Sequence, residues 1–115
     1  MIRVLHVVHG LFKSRGLANF VMNYYRNIDR SQVQFDFLYF IEDKYSFRDE
    51  IERLGGRCFR MNEPSINLRY RKEFDVFFKC HCGEWKVMHC HALFATALLG
   101  DIAKRNGMPC IIAHA

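Results

Sequence analysis

Hydrophobic residues fall into five short segments, separated by longer stretches with helical periodicity. Residues 2–8 form a nearly continuous, β-branched run, which is typical of a strand buried on both faces of a parallel sheet. Residues 33–40 alternate polar Gln34 and Asp36 with apolar neighbours, which predicts a second strand. Three further apolar runs predict strands at 57–61, 85–90 and 110–113.

The first two helical patterns lie on either side of the second predicted strand. Apolar residues three to four positions apart predict the buried face of the first helix: Leu17, Phe20, Val21, Tyr24 and Tyr25. We expect this helix to end near residues 27–29. In the second pattern, Ser46 followed by Asp49 predicts a capping box, and the Gly55-Gly56 pair predicts the end of the helix.

The third and fourth helical patterns flank the fourth predicted strand. The third is expected to open at residues 64–67, with a buried stripe of Tyr70, Phe74, Phe77 and Phe78. The fourth spans residues 91–106 and ends at Gly107. Its inward-facing residues are predicted to be Ala92, Ala95, Thr96, Leu99, Ile102 and Ala103.

Strict alternation of strands and helices with short connections predicts an α/β fold. Each right-handed crossover needs a helix, so the sheet is expected to be parallel and covered on both faces. We predict a Rossmann-like, doubly wound, five-stranded sheet of order 3-2-1-4-5, formed by one domain over residues 1–115. Its predicted core includes Val4, Leu5, Val7, Phe37, Val87 and Ile111.

Composition restricts the cellular location and the classes of binding partner that are expected. The 115 residues carry a net charge of +5, which favours anionic partners such as phosphates, nucleotides or a membrane surface. The basic residues are too scattered for a nucleic-acid interface, since the longest basic run is residues 69–72. Five cysteines without an export signal predict free thiols and a cytoplasmic location. No apolar run approaches the ~18 residues of a transmembrane helix.

Candidate chemistry lies where the strands of such a sheet end. With the order 3-2-1-4-5, a ligand crevice is expected between strands one and four. The loop at residues 9–16, His91 and His114 are expected to meet there. The helix N-terminus that follows the loop suits a phosphate, and Lys13 and Arg15 add positive charge.

Several familiar sites are disfavoured. The loop is neither a Gly-x-Gly-x-x-Gly fingerprint nor a P-loop, and Gly10 and Gly16 are equally consistent with turn geometry alone. A phosphorelay receiver would need acidic residues where His6, His9 and Met61 stand.

Two clusters of cysteine and histidine raise other options. Residues 80–82 and 89–91 offer soft ligands for zinc, but Cys80 and Cys82 are expected near the opposite edge of the sheet. A nucleophilic pair of Cys90 with His91 or His114 lacks an orienting acid. No metal site is therefore predicted.

A resemblance that extends over the whole chain is more specific than these patterns. The segments that carry it are Met1–Gly10 (MIRVLHVVHG), 20–26 (FVMNYYR), 35–38 (FDFL), 54–56 (LGG), 87–92 (VMHCHA) and 107–114 (GMPCIIAH). In this order they resemble the N-terminal domain of family 4 glycosyltransferases, of the capsular or exopolysaccharide type. The resemblance implies a GT-B architecture, in which two Rossmann-like domains face each other across a cleft.

The resemblance also implies roles for individual residues. Gly10, Arg15 and Gly16 match the loop that approaches the donor phosphates, and His114 matches a catalytic histidine that faces the donor sugar. His91 matches a position on the acceptor side. The loop departs from the family pattern: Arg15 or Leu17 replaces a glycine, and Ala18 or Asn19 replaces a glutamate. No metal or cofactor is implied, because the nucleotide-sugar is a substrate and positive charge and amide groups stabilise its leaving phosphate.

These implications define the expected function. The chain is expected to be the acceptor-side half of a retaining glycosyltransferase that moves a sugar from a nucleotide-sugar to a glycan or lipid-linked acceptor. We expect the family's C-terminal donor-binding domain to be absent from this chain and the isolated chain to be inactive. Its expected location is cytoplasmic, with peripheral contact at the inner face of the membrane as an option. The alternative is a truncated or degenerate domain that acts as a binding module without catalysis.

Overall fold

A computed structural model describes residues 1–114 except Arg15, Asp43, Ile66, Asn67 and Ala92, and it leaves the side chains of residues 93–95 undescribed. Within these residues, strands and helices alternate throughout. They are β1 (Ile2–Val7), α1 (Gly16–Asn27), β2 (Val33–Tyr39), α2 (Arg48–Arg53), β3 (Cys58–Arg60), α3 (Arg69–Cys80), β4 (Val87–Cys90), α4 (Leu93–Arg105) and β5 (Cys110–Ala113). No helix in the described part of the chain combines the length and apolar character needed to cross a bilayer.

The five strands form one parallel sheet of order β3-β2-β1-β4-β5, so the predicted fold class and strand order are confirmed. One face of the sheet packs against α3 and α4, and this core includes Leu5, Val7, Phe74 and Leu99. The other face packs against α1 and α2. Because α1 and α2 connect β1, β2 and β3, their core lies over that half of the sheet.

The predicted core is confirmed in part. Leu5, Val7 and Phe37 are buried, whereas Val4, Val87 and Ile111 are half-buried. The stripe predicted for α3 is also confirmed: Tyr70, Phe74 and Phe78 are buried and Phe77 packs partly against them. On α4, Leu99, Ile102 and Ala103 are buried and Thr96 is half-buried, whereas Ala92 and the side chain of Ala95 lie outside the described residues.

The buried face predicted for α1 is partly wrong. Val21 and Tyr25 are buried together with Ala18 and Met22, but Leu17, Phe20 and Tyr24 are 38%, 51% and 56% exposed. The helix is rotated so that Ala18, Val21, Met22 and Tyr25 face the sheet. The two exposed aromatic rings pack against each other, with their centroids 5.0 Å apart. This leaves an aromatic surface on α1 that the core does not use.

Several predicted helix boundaries also shift. The capping box at Ser46 is wrong: α2 has Phe47 at its N-cap without a side-chain cap, and the Ser46 hydroxyl instead accepts a hydrogen bond from the Arg48 amide at 3.3 Å. The α3 helix begins at Arg69, so Pro64 and Ser65 precede it, while Ile66 and Asn67 lie outside the described residues. The α4 helix begins at Leu93, after His91.

A network of charges is buried toward the amino-terminal ends of the strands, and we call Asp36, Arg3, Arg57 and Trp85 the Asp36 network. The Asp36 carboxylate is fully buried and accepts hydrogen bonds from the Arg3 guanidinium at 2.7 and 2.9 Å. It also accepts from the Arg57 side chain at 2.7 Å, the Arg57 amide at 2.9 Å and the Trp85 indole at 2.8 Å. The polar positions of β2 therefore face a protein interior rather than solvent.

Candidate functional site

Three histidines come together near the carboxyl ends of β1 and β4, and we call His6, His89 and His91 the histidine cluster. His6 on β1 is paired in register with His89 on β4, so both side chains lie on the same face of the sheet. His91 follows two residues after His89 and returns to that face. The parallel register, rather than sequence proximity, therefore builds the cluster.

The imidazole rings are in direct contact. His6 Nδ1 and His91 Nε2 are 3.0 Å apart and share a hydrogen bond. The ring centroids of His89 and His91 are 4.0 Å apart, and those of His6 and His89 are 5.4 Å apart. His114 follows β5 beside the cluster, with its ring centroid 5.5 Å from that of His89 and 5.6 Å from that of His91.

Burial keeps the cluster uncharged at neutral pH. Burial, reinforced by the neighbouring imidazoles, lowers the pKa of His6 to about 3 and that of His91 to about 4. Burial and the proximity of His114 also lower the pKa of His89. Each neutral ring carries one N–H donor and one lone pair. The His6–His91 hydrogen bond satisfies one nitrogen of each ring, but His6 Nε2, His89 Nε2 and His91 Nδ1 are buried without a partner.

A cavity of about 330 Å³ opens over the histidine cluster. Its other wall comes from α1, the segment that follows it, and β2: Phe20, Val21, Tyr24, Ile28 and Phe35. The aromatic surface of α1 is therefore one side of a cavity whose opposite side is made of imidazoles. Its size lies within the range of small-molecule sites, and its combination of an apolar wall and few polar atoms is typical of them.

The loop after β1 forms a second, smaller cavity. This space of about 100 Å³ is lined by His9, Gly10, Phe12, Leu17 and Ala18. Gly10 is buried and forms a parallel bridge to Ile41, and a Cβ at this position would overlap the ring of Phe12. Close packing therefore requires a glycine at position 10.

Gly16, at the start of α1, has the opposite environment. Apart from its two chain neighbours and the backbone of its own helix, no atom lies within 4 Å of the position where its Cβ would stand, and no acidic residue occurs in the first turn of the helix. A side chain added at Gly16 therefore has room, and the helix N-terminus favours negative charge there. Arg15, the third residue predicted for the phosphate loop, lies outside the described residues.

The other predicted residues are distributed as follows. His91 and His114 come together as predicted, but His9 lies apart from them, with its Nδ1 3.6 Å from a carboxylate oxygen of Glu63. Cys90 is buried in the core on the opposite face of the sheet, where burial raises the pKa of its thiol. This arrangement does not favour a Cys90–His91 nucleophile.

All five thiols are free, as predicted. Within the described residues, the group whose ligand atoms lie close enough to hold an ion consists of His6, His89 and His91, all within 4.8 Å of one another. Cys80 and Cys82 are exposed and are not part of this group.

Sequence reasoning missed two parts of the site. His6 was assigned to a strand without a role, although its alternation with the apolar residues of β1 and the predicted neighbourhood of strands one and four were both visible. Phe20 and Tyr24 were assigned to the core. A signal for His6 would have required the register of β1 against β4, which fixes the face that His6 shares with His89 and His91. A signal for Phe20 and Tyr24 would have required the rotation of α1 against the sheet.

The chain is similar to the Bacillus subtilis (strain 168) protein "Putative glycosyltransferase EpsF", with 36% identity over 116 aligned residues. The alignment covers 97% of this chain and 29% of that protein, so the chain spans less than a third of its relative. No protein-family model matches the chain, and no solved structure matches it significantly. The resemblance to a glycosyltransferase that the sequence predicted is confirmed by this similarity, and the chain is a glycosyltransferase-like α/β domain.

Proposed function

We propose that the chain is the N-terminal, acceptor-side domain of a retaining family 4 glycosyltransferase of the GT-B type. Such an enzyme moves a sugar from a nucleotide-sugar to a glycan or lipid-linked acceptor. The observation that carries the proposal is the 36% identity along nearly the whole chain to a protein more than three times as long. A longer relative is what a two-domain enzyme requires, with the donor-binding half supplied by a C-terminal domain.

The proposal divides the carboxyl edge of the sheet between the two substrates. Gly10, Arg15 and Gly16 would lie at the donor phosphates, where the amino end of α1 offers backbone N–H groups. His114 is exposed beside the histidine cluster and would face the donor sugar as the catalytic residue. His91 would lie on the acceptor side, next to the cavity bounded by α1. Positive charge and amide groups would stabilise the leaving phosphate without a metal or cofactor.

Location follows from the substrates. A nucleotide-sugar donor is made in the cytoplasm, and a lipid-linked acceptor would bring the enzyme to the inner face of the membrane. The net charge of +5 is compatible with contact to an anionic membrane surface.

The isolated chain is expected to lack sugar transfer. Holding donor and acceptor together between two domains can supply roughly 7–11 kcal/mol of the barrier in favourable cases, and one domain cannot provide this. The measurement is an assay with radiolabelled nucleotide-sugar and a lipid acceptor extract. Turnover by the isolated chain above the blank would contradict the two-domain proposal.

Residual donor binding tests the assignment of the phosphate loop. UDP is expected to bind no tighter than about millimolar, or about −4 kcal/mol, which a few charge-assisted contacts can supply. In an NMR titration, the amide signals of Gly16, His91 and His114 should move. If shifts occur elsewhere or are absent, the proposed donor site is wrong.

A negative charge added at the start of α1 sharpens this test. Gly16→Asp places a negative charge in open space at the amino end of α1, which favours the helix dipole but repels a phosphate. UDP binding should be lost while stability is retained. Asn23→Asp adds the same charge at an exposed position further along α1 and serves as the matched control. Equal binding by both variants would contradict a phosphate site at Gly16.

A further inference from the structure

The three unpartnered nitrogens of the histidine cluster are an unusual feature of a buried site. A buried polar atom without a partner destabilises the folded state, so nearly all such atoms in folded proteins are bonded. Here His6 Nε2, His89 Nε2 and His91 Nδ1 are all unpaired within one cluster. His6 is 5% exposed, so bulk water does not satisfy its ring.

We propose that His6, His89 and His91 form a binding site for a divalent transition-metal ion of the zinc type. One nitrogen from each ring lies within 4.8 Å of the other two. Zinc–imidazole bonds are about 2.0–2.1 Å long, so nitrogens bound to one ion lie at most about 4 Å apart. Small side-chain rotations therefore close the site around an ion. The proposal goes beyond the glycosyltransferase assignment and does not depend on it.

The surroundings determine the kind of ion. Imidazole nitrogen suits zinc, copper and nickel, whereas magnesium and calcium require oxygen ligands. The described residues that line the cavity contribute three imidazoles and apolar or aromatic side chains, with no carboxylate. This donor set favours zinc-type ions and disfavours magnesium and calcium.

The environment of the cluster also favours a metal. Metal binding to histidine uses the lone pair of a neutral ring, and the His6 ring is 5% exposed and packs against Phe35 and Phe37. The apolar wall of Phe20, Tyr24 and Phe35 limits competition by water on the cavity side.

Binding would rearrange the hydrogen bond within the cluster. In the metal-free state, one ring of the His6–His91 pair donates its proton to the lone pair of the other. Two neutral rings have only two lone pairs between them, so an ion that takes one lone pair from each of the three rings must break this bond. Open coordination positions would face the cavity.

The experiment is a calorimetric titration of the full chain with ZnCl₂, in a background where the exposed thiols are removed as Cys80→Ser, Cys82→Ser and Cys110→Ser. This background prevents thiolate ligation. We expect one equivalent of zinc to bind and MgCl₂ to give no heat. Absence of zinc binding, or magnesium binding of equal strength, would overturn the proposal.

Matched histidine variants locate the ion. His89→Gln and His91→Gln should each weaken zinc binding by at least about tenfold. Removal of a residue that only contacts a ligand already weakens metal binding by about that factor, and both histidines are proposed as direct ligands. His9→Gln removes an exposed histidine outside the cluster and should leave zinc binding unchanged. Equal zinc affinity in His9→Gln and His89→Gln would show an adventitious site and overturn the proposal. Circular dichroism verifies that each variant is folded.

A spectroscopic measurement provides a readout that does not depend on affinity. With the chain labelled with ¹⁵N, long-range ¹H–¹⁵N correlations report which imidazole nitrogen carries the proton in each ring. Zinc should move the side-chain signals of His6, His89 and His91 together while those of His9 and His81 stay in place. Movement of His9 or His81 without movement of the cluster would overturn the proposal.

Discussion

The two ends of the sheet bury polar groups in opposite ways. At the amino end, the Asp36 carboxylate accepts five hydrogen bonds from Arg3, Arg57 and Trp85, so its lone pairs are fully used. At the carboxyl end, the histidine cluster satisfies two nitrogens with one shared hydrogen bond and leaves three others bare. The first arrangement is complete within the chain. The second is incomplete, as expected of a site that receives a ligand.

The pKa values at the two ends of the sheet are shifted in correspondingly different ways. Burial alone would raise the pKa of Asp36, but hydrogen bonds from Arg3, Arg57 and Trp85 outweigh burial and hold its pKa well below the usual range. The histidine cluster has no opposite charge among its described contacts, so burial lowers the pKa of His6 without compensation. The amino end therefore stabilises a charge, and the carboxyl end excludes one.

The largest expected effect is the loss of the Asp36 carboxylate. Asp36→Ala leaves the partly buried Arg3 guanidinium without its counter-ion and removes one of the two carboxylates that Arg57 contacts, the other being Glu84. The change should destabilise the fold by about 3–5 kcal/mol. Urea unfolding followed by far-UV circular dichroism measures this change. Asp101→Asn breaks the exposed pair with Arg71 and should cost less than about 1 kcal/mol. If the two variants were equally stable, the Asp36 network would not be a structural centre.

The loss of one buried apolar side chain provides a reference for the destabilisation expected of Asp36→Ala. Leu5→Ala removes a fully buried side chain next to Asp36 in the sheet register and should cost about 2–5 kcal/mol. The same urea denaturation measures it. A cost below about 1 kcal/mol would mean that neighbouring side chains fill the space left by Leu5. The loss of packing would then be a poor reference for the effect of Asp36→Ala.

On acidification, the histidine cluster and Asp36 should reduce the free energy of unfolding in different pH ranges. The folded pKa values of His6 and His91 lie below the unfolded value of about 6.5, so the unfolded chain binds more protons below that pH. The free energy of unfolding should therefore fall as the pH drops from about 6.5 to about 4, by up to about 1.4 kcal/mol per pH unit for each extra proton. Asp36 has a lowered folded pKa, so its stabilising contribution is complete above about 3.9 and is lost only at lower pH.

The control for this pH dependence is the double variant His6→Leu with His91→Leu. It should flatten the decline between pH 6.5 and 4 and leave the loss below pH 4 in place. Parallel curves for the wild type and the double variant would show that the cluster does not titrate as its burial requires.

The smallest expected effect is that of the same double variant at pH 7.5. Replacing both partners of a buried hydrogen bond by apolar groups of similar size is often nearly neutral, so stability should change by less than about 1 kcal/mol. Thermal unfolding measures this change. A loss as large as that of Asp36→Ala would make the histidine cluster a structural network and would remove the contrast between the two ends.

Local patterns along the chain were sufficient to predict the elements and their order. The apolar runs of β1, β2, β4 and β5 and the stripes of α3 and α4 are strong periodic signals, and right-handed crossovers restrict their arrangement. Helix starts were less predictable because they depend on a few contacts, as the Ser46 hydroxyl shows by bonding outside a capping box.

The site was predictable only in part. His91 and His114 follow strands, so their place at the carboxyl edge follows from topology alone. The partnership of His6 with His89 and His91 depends on the register between β1 and β4, and the exposure of Phe20 and Tyr24 depends on the rotation of α1. Both are set by tertiary packing, which a periodic pattern does not encode.

Trp85 gives the Asp36 network an optical consequence. It is the single tryptophan of the chain, its indole N–H donates to Asp36, and its ring lies 5.7 Å from that of Phe77 and 5.2 Å from that of His81. Intrinsic fluorescence excited at the tryptophan band therefore originates from the amino end of the sheet, whereas the far-UV signal averages all helices and strands. Coincidence of the two unfolding curves indicates one cooperative unit. An emission change at lower urea would identify the amino end as the part that opens first.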